Sequence, residues 1–244
     1  MITDLGTVTY KEIKELLFQR GQGRSGTFRM LIFIGVFGIL LPLQNGIRGL
    51  SSPVGLIFWA WIPYLLISGV TADTFAGERE RHTLETLLAS RLSDRAILFG
   101  KLVAVISYGW GLTLITILVN LITVNLVFWQ GHVVLYPAAL FSLILLVSLL
   151  ISVFSAGLGI VISLRSATAR AAQQTMSILM FALLIPIFLI SFLPKNLLAG
   201  LYVLATNISP AQVAIGIILA LFVIDAGLIL YSMTQFRRAK LISD

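Results

Sequence analysis

The chain has 244 residues, of which 58% are hydrophobic and 11% charged, with a mean hydropathy of +1.01 and a formal net charge of +7. Soluble domains carry about 25% charged residues, so this composition excludes an ordinary soluble domain and makes lipid the solvent for much of the chain. The absence of cysteine excludes disulfide frameworks, thiolate nucleophiles and cysteine-ligated metals. The positive charge is gathered between apolar blocks, which argues for membrane topology and against nucleic-acid binding.

The first predicted element is an amphipathic helix over 10–20. Tyr10, Ile13, Leu16 and Leu17 share one face, while Lys11, Glu12, Lys14 and Glu15 occupy the other. Such a helix suits the membrane interface, with a solvated cytoplasmic helix as the alternative. The Gly-rich run 21–26 then turns the chain inward. The first apolar block begins only near 28, after this charged stretch, so no cleavable secretory signal is expected. Residues 1–27 form a cytoplasmic N-terminal segment in this reading, and 28–244 a transmembrane domain.

A helix needs about 20 apolar residues to cross the hydrocarbon core. Six blocks qualify, at about 28–46, 53–76, 102–129, 133–164, 171–192 and 212–233. With the N-terminus inside, Lys11, Lys14, Arg20, Arg24, Arg29, Arg79, Arg81, Arg91, Arg95, Lys101, Arg165, Arg170, Arg237, Arg238 and Lys240 all fall on the cytoplasmic side. Arg48 and Lys195 alone fall outside. Fifteen basic residues against two favours six spans with both termini cytoplasmic. The predicted fold is therefore all-α and integral to a bacterial-type cytoplasmic membrane.

Within the blocks, Pro63 and Pro186 are expected to bend their spans. The small residues Ser152, Ser155, Ala156, Gly157 and Gly159 predict close helix packing in the fourth. The outer loop 193–211 contains an apolar stretch, 197–205, too short to cross; it is expected to be an interfacial or re-entrant helix. His132, beside Trp129 and Tyr136, reads as part of an outer aromatic belt.

The loop 77–101 between the second and third blocks carries the strongest signal. Leu84, Leu87, Leu88 and Leu92 recur on one helical face. Glu78 and Glu80 stand at the first turn and Arg91 at the far end, as the helix dipole favours. Ser93 before Asp94 reads as the N-cap of a second helix leading into the third span. Read physically, the loop is either a charged topology signal or a docking element. Its residues, Glu78-Arg79-Glu80, then Thr83-Leu84-Glu85, Leu87-Leu88, Ser93 and Gly100-Lys101, closely resemble the signature of type-2 ATP-binding-cassette (ABC) exporter permeases. Two residues depart from that pattern: His82 stands where the family has Gly, and Arg91 where it has Pro. Without the proline, nothing forces the helix to end before Leu92.

The resemblance implies that 77–101 is a cytoplasmic coupling helix seated on a separate ABC ATPase. Leu84, Leu87 and Leu88 would give the buried contact, with Glu78, Glu80, Arg81 and Glu85 as a polar rim and Arg79 and Thr83 completing the motif. It further implies two ATPase copies, a second permease copy or homologue, and ATP and magnesium held on the ATPase, with no cofactor in this chain. Few polar residues occur in the spans, so an amphiphilic, lipid-like or drug-like substrate is expected.

No Gly-x-x-x-x-Gly-Lys-Ser/Thr phosphate loop occurs: Gly100-Lys101 lacks the upstream glycine and the following hydroxyl. His82 and His132 fall on opposite faces in this topology, which excludes a histidine dyad or metal pair. The chain is thus expected to be a non-catalytic subunit. Asp73, Asn120 and Asp225 are candidate intramembrane polar sites. The rival reading is an ion-coupled secondary transporter with Asp73 and Asp225 as ion sites, but no internal repeat supports it and it leaves the leucine-rich loop unexplained.

Overall fold

The computed structural model describes residues 2–18, 25–52, 54–190, 192 and 209–236. Most of the expected turn at 21–26, the body of the outer loop and the basic tail at Arg237, Arg238 and Lys240 lie outside these residues, as do the side chains of Leu88 and Pro186. Among the described residues all regular structure is helical. The helices are α1 (Ile2–Phe18), α2 (Ser25–Phe33), a π-helical stretch (Ile34–Leu40), α3 (Leu41–Asn45), α4 (Arg48–Ser51), α5 (Val54–Glu80), α6 (Leu84–Ala89), α7 (Asp94–Val127), α8 (Ala138–Arg165), α9 (Ala169–Ile190) and α10 (Pro210–Gln235).

Among the described residues, four helices are long and apolar enough to cross a membrane: Gly55–Glu80, Asp94–Val127, Ala138–Arg165 and Ala211–Gln235. The other two apolar blocks also form helices, but shorter ones, Met30–Asn45 and Ala169–Ile185. The first of these contains the π-helical stretch, which widens the helix where Gly38 sits against α7. A Cβ there would lie 2.8 Å from Val119. α5 runs through Pro63 to Glu80 as one helix.

The small residues of α8 let it press against its neighbours. A Cβ at Gly159 would lie 2.2 Å from the Thr71 hydroxyl on α5, and one at Gly157 would lie 3.2 Å from Leu228 on α10. Ser163 ties α8 to α5: its hydroxyl accepts from the Phe75 and Ala76 amides at 3.1 and 2.9 Å and donates to the Ala72 carbonyl at 3.0 Å. The two larger apolar clusters divide the molecule between its ends. One, around Ile67, Phe75, Leu84, Ile97 and Phe236, lies toward the end that bears the 77–101 loop. The other, around Leu50, Trp59, Ile62, Leu112 and Tyr136, lies toward the opposite end.

Two expectations are corrected. The N-terminal helix begins at Ile2, and its buried positions are Val8 and Glu12, while Tyr10 and Leu17 are exposed. Gly100 explains Val8: a Cβ there would lie 2.6 Å from its side chain, so the missing Cβ allows α1 to lie against α7. Tyr136 does not belong to an outer belt with His132. It is buried and its hydroxyl donates to Asn120 Oδ1 at 2.9 Å, whereas Trp129 and His132 are exposed.

Candidate functional site

The loop is built from the end of α5. α5 ends at Glu80, the Arg81 amide makes the last i→i−4 bond, to the Gly77 carbonyl at 3.0 Å, and the next residues close the helix in a Schellman turn. The Thr83 amide donates to the Glu78 carbonyl at 2.9 Å and the His82 amide to Arg79 at 3.1 Å. This turn needs one residue in the left-handed region, and His82 occupies it at φ 55°. His82 is the position at which the resembling pattern carries glycine, so the departure in sequence leaves the turn geometry intact.

α6 then runs for six residues and ends at Ala89 without a proline at 91. Ser90 takes over: its backbone is extended, and its hydroxyl donates to the Leu87 carbonyl at 2.7 Å. Ser93 caps α7 as expected, accepting from the Ala96 amide at 3.2 Å.

The two sides of this loop differ sharply. On the inner side, Leu84 is buried, and Leu87 and Leu92 pack on the cluster containing Phe75, Ile97 and Leu98. These leucines therefore face the chain's own helices. Glu78 is also interior rather than part of an exposed rim. Its Oε1 accepts from Lys101 Nζ at 2.8 Å, and its Oε2 has no hydrogen-bond partner among the described residues. Lys101, only 1% exposed, donates also to Glu12 Oε1 at 2.9 Å and to the Thr74 carbonyl at 3.2 Å, and lies 5.3 Å from the Phe75 ring centre. One buried lysine thus joins α1, α5 and α7.

Arg79 turns toward α8 and donates to the Ser166 and Leu164 carbonyls at 2.6 and 3.1 Å. It satisfies the carbonyl end of that helix, where a cation is favoured. The Glu-Arg of the motif is a structural joint: Glu78 binds α7 and α1 through Lys101, and Arg79 binds α8.

On the outer side, Glu80, Arg81, His82, Thr83, Glu85 and Thr86 are exposed. Arg81 pairs with Asp73 at 3.2 Å, which places Asp73 in a half-exposed surface pair. Such a pair contributes at most about 1 kcal/mol. Asn120 and Asp225 lie elsewhere. Asn120 is near the opposite end of α7 with Tyr136, and Asp225 is buried on α10 with neither carboxylate oxygen partnered among the described residues. The structure therefore gathers Glu78 to Leu87 into one site and does not bring Asp73, Asn120 and Asp225 together. No group of three His, Cys, Asp or Glu side chains converges among the described residues.

Sequence reasoning missed Glu12 and the role of Lys101. The signal was the Gly100-Lys101 pair itself: a glycine that admits a neighbouring helix, followed by a lysine inside an apolar helix that must find acids.

Long apolar helices with an inward-anchored charged loop between two of them mark a helical membrane protein. The sequence profile of the family described as ABC-2 family transporter protein matches residues 41–234, and the chain belongs to that family. No curated protein matches it.

Proposed function

We propose that this chain is the membrane permease subunit of an ATP-driven exporter, and that a separate ABC ATPase docks on the exposed face of the 77–101 loop. The observation that carries this reading is the two-sided build of the loop. Its leucines and the Glu78–Lys101–Glu12 cluster fasten it to α5, α7 and α1. A polar face of Glu80, His82, Thr83, Glu85 and Thr86 is left outward. A load applied to that face passes into two spanning helices without slack, because both ends of α6 are held. Movement of an ATPase between nucleotide states would thereby bias the spans between two arrangements.

In this reading six helices span the membrane, with α2–α3 and α9 as the short spans, and the loop and both termini are cytoplasmic. The functional unit contains two permeases and two ATPases, with ATP and magnesium on the ATPase. The cargo is an amphiphile carried in a path shared by the two permeases.

The test is a pair of substitutions on the exposed face, Glu85→Lys and Thr86→Trp. Neither side chain supports the fold, so the permease should remain monodisperse. Thr86→Trp should reduce co-purified ATPase by about tenfold, equivalent to about 1.4 kcal/mol. Glu85→Lys should act more weakly, as rim charges do. Undiminished ATPase activity in both purified complexes would refute docking on this face.

A further inference from the structure

At the end of the molecule remote from the loop, the π-helical stretch, α3, α4, α5 and α7 surround a small cavity of about 50 Å³ that opens to the surroundings. Aromatic rings form much of its wall, those of Phe37, Phe58, Trp59 and Tyr136. The backbone of Gly49 and Gly55 contributes where any side chain would take up the space. A Cβ on Gly55 would meet only the Gly49 carbonyl, at 3.5 Å, and the Trp59 indole nitrogen, at 4.0 Å.

The polar groups of the wall form a directed chain. The Tyr136 hydroxyl lies in the wall together with the Trp59 ring. That hydroxyl donates to Asn120 Oδ1 at 2.9 Å, and Asn120 Nδ2 donates to the Phe37 carbonyl in the π-helical stretch at 3.2 Å. Thr123 holds the next π-helical carbonyl, that of Gly38, at 2.9 Å. π-helical turns inside α-helices frequently mark functional sites. Asn125 fastens the segment that carries Tyr136: it accepts from the Val134 amide at 2.7 Å and donates to the Val134 carbonyl at 2.9 Å. The wall is therefore preformed.

We infer that this cavity binds the neutral, hydroxylated headgroup of an amphiphile. Three observations carry it. A carboxamide has two N–H donors and two acceptor lone pairs. Asn120 spends one of each on Phe37 and Tyr136, which leaves one donor and one acceptor, a match for a hydroxyl. No lining side chain carries a charge, and Arg48, next to Gly49 in α4, is exposed and outside the lining. An ionic headgroup would be desolvated there without a counter-charge. Next in sequence to the lining residues Leu41, Pro42 and Phe58, the side chains of Leu40, Leu43 and Ile57 are exposed, an apolar surface on which an acyl chain can lie.

The depth also fits. Asn120 and Lys101 stand about 28 Å apart along α7 at 1.5 Å per residue, close to the thickness of the hydrocarbon core, about 30 Å. With Lys101 at one membrane interface, Asn120 is at the other. This inference concerns the end opposite the loop and holds whether or not an ATPase docks there.

The experiment uses full-length permease in nanodiscs containing monoglucosyl diacylglycerol, phosphatidylcholine and phosphatidylglycerol with matched chains, read by native mass spectrometry of retained lipid. The glycolipid should be retained about tenfold over either phospholipid. Gly55→Leu, which fills the cavity from a position with room for its Cβ, should abolish that preference. Phe58→Ala, at the half-exposed rim, should weaken it, and keeps the test alive if Gly55→Leu does not fold. Free methyl glucoside distinguishes the source. Displacement of the glycolipid assigns the site to the hydroxylated ring alone, and retention despite the free sugar assigns it to the lipid; either supports the site. Equal retention of phosphatidylglycerol, or a preference unchanged in both variants, overturns the inference.

Discussion

The two ends of α7 solve the same problem with different chemistry. Each carries a polar side chain turned into the molecule, Lys101 near the loop and Asn120 near the far end. Lys101 is a full charge, matched by two carboxylates from two other helices. Asn120 is neutral, matched by a hydroxyl and a backbone carbonyl. A buried charge tolerates no loss of a partner, because the group left behind stays charged in a medium that cannot solvate it. A buried amide loses only hydrogen bonds. The loop end is therefore built to keep its geometry under load, and the far end leaves donors and acceptors free for an exchangeable ligand.

The largest expected effect follows from that contrast. Lys101→Met removes the buried cation shared by Glu12 and Glu78, and should destabilise the chain by about 3–5 kcal/mol, the range for breaking a buried ion pair. Thermal unfolding in detergent reads the loss, and limited proteolysis after Lys11 and Lys14 reads the release of α1. The triple variant Glu12→Gln/Glu78→Gln/Lys101→Met should recover much of the stability, since no buried charge is then left unpaired. If Lys101→Met melts like the unmodified protein, α1 is not docked through this lysine.

At the far end, Asn120→Leu should cost about 1–3 kcal/mol, because the Tyr136 hydroxyl and the Phe37 carbonyl lose their partner. Adding Tyr136→Phe should recover part of it, and the two changes should be coupled by about 0.5–3 kcal/mol. A cost for Asn120→Leu exceeding that of Lys101→Met would reverse the comparison between the two ends.

Much of the framework was legible because apolar length and capping are local properties. The blocks at 53–76, 102–129, 133–164 and 212–233 became α5, α7, α8 and α10, and Ser93 marked the start of α7 on its own. What failed depended on distant partners. Glu12 looks like a solvent-facing acid beside Lys11 and Glu15, and only Lys101, 89 residues away in sequence, makes it interior. Tyr136 looks like an interfacial aromatic until Asn120 reaches its hydroxyl. The outward charges of the loop were visible, but periodicity could not decide which way its leucines pointed. That depended on Phe75, Ile97 and Leu98 closing over them. The π-helical stretch had no local signature: the apolar run through it reads as ordinary helix, and its carbonyls are held by Asn120 and Thr123 from another helix.

The smallest expected effect is a gain in stability, and it bears on the helix end that anchors the loop. Two described helix ends turn through positive φ. Gly46, after α3, has φ 56° and ψ −151°, a region in which only glycine is comfortable, while His82, after α5, has φ 55°. His82 is exposed, so its side chain is not what holds it there. The Schellman hydrogen bonds from Thr83 and His82 to Glu78 and Arg79 impose the conformation. A Cβ in the left-handed region costs roughly 1–2 kcal/mol, and the extra freedom of glycine in the unfolded chain returns about 0.4–1 kcal/mol of that. His82→Gly should therefore stabilise the chain by about 0.5–1 kcal/mol. His82→Val should destabilise it, because a β-branched side chain is the least suited to positive φ. Hydrogen exchange at the Thr83 amide reads the turn directly: it should slow in the glycine variant and quicken in the valine variant. Equal exchange in the two would mean that the turn does not hold residue 82 at positive φ, and that the loop is less firmly tied to α5 than its hydrogen bonds require.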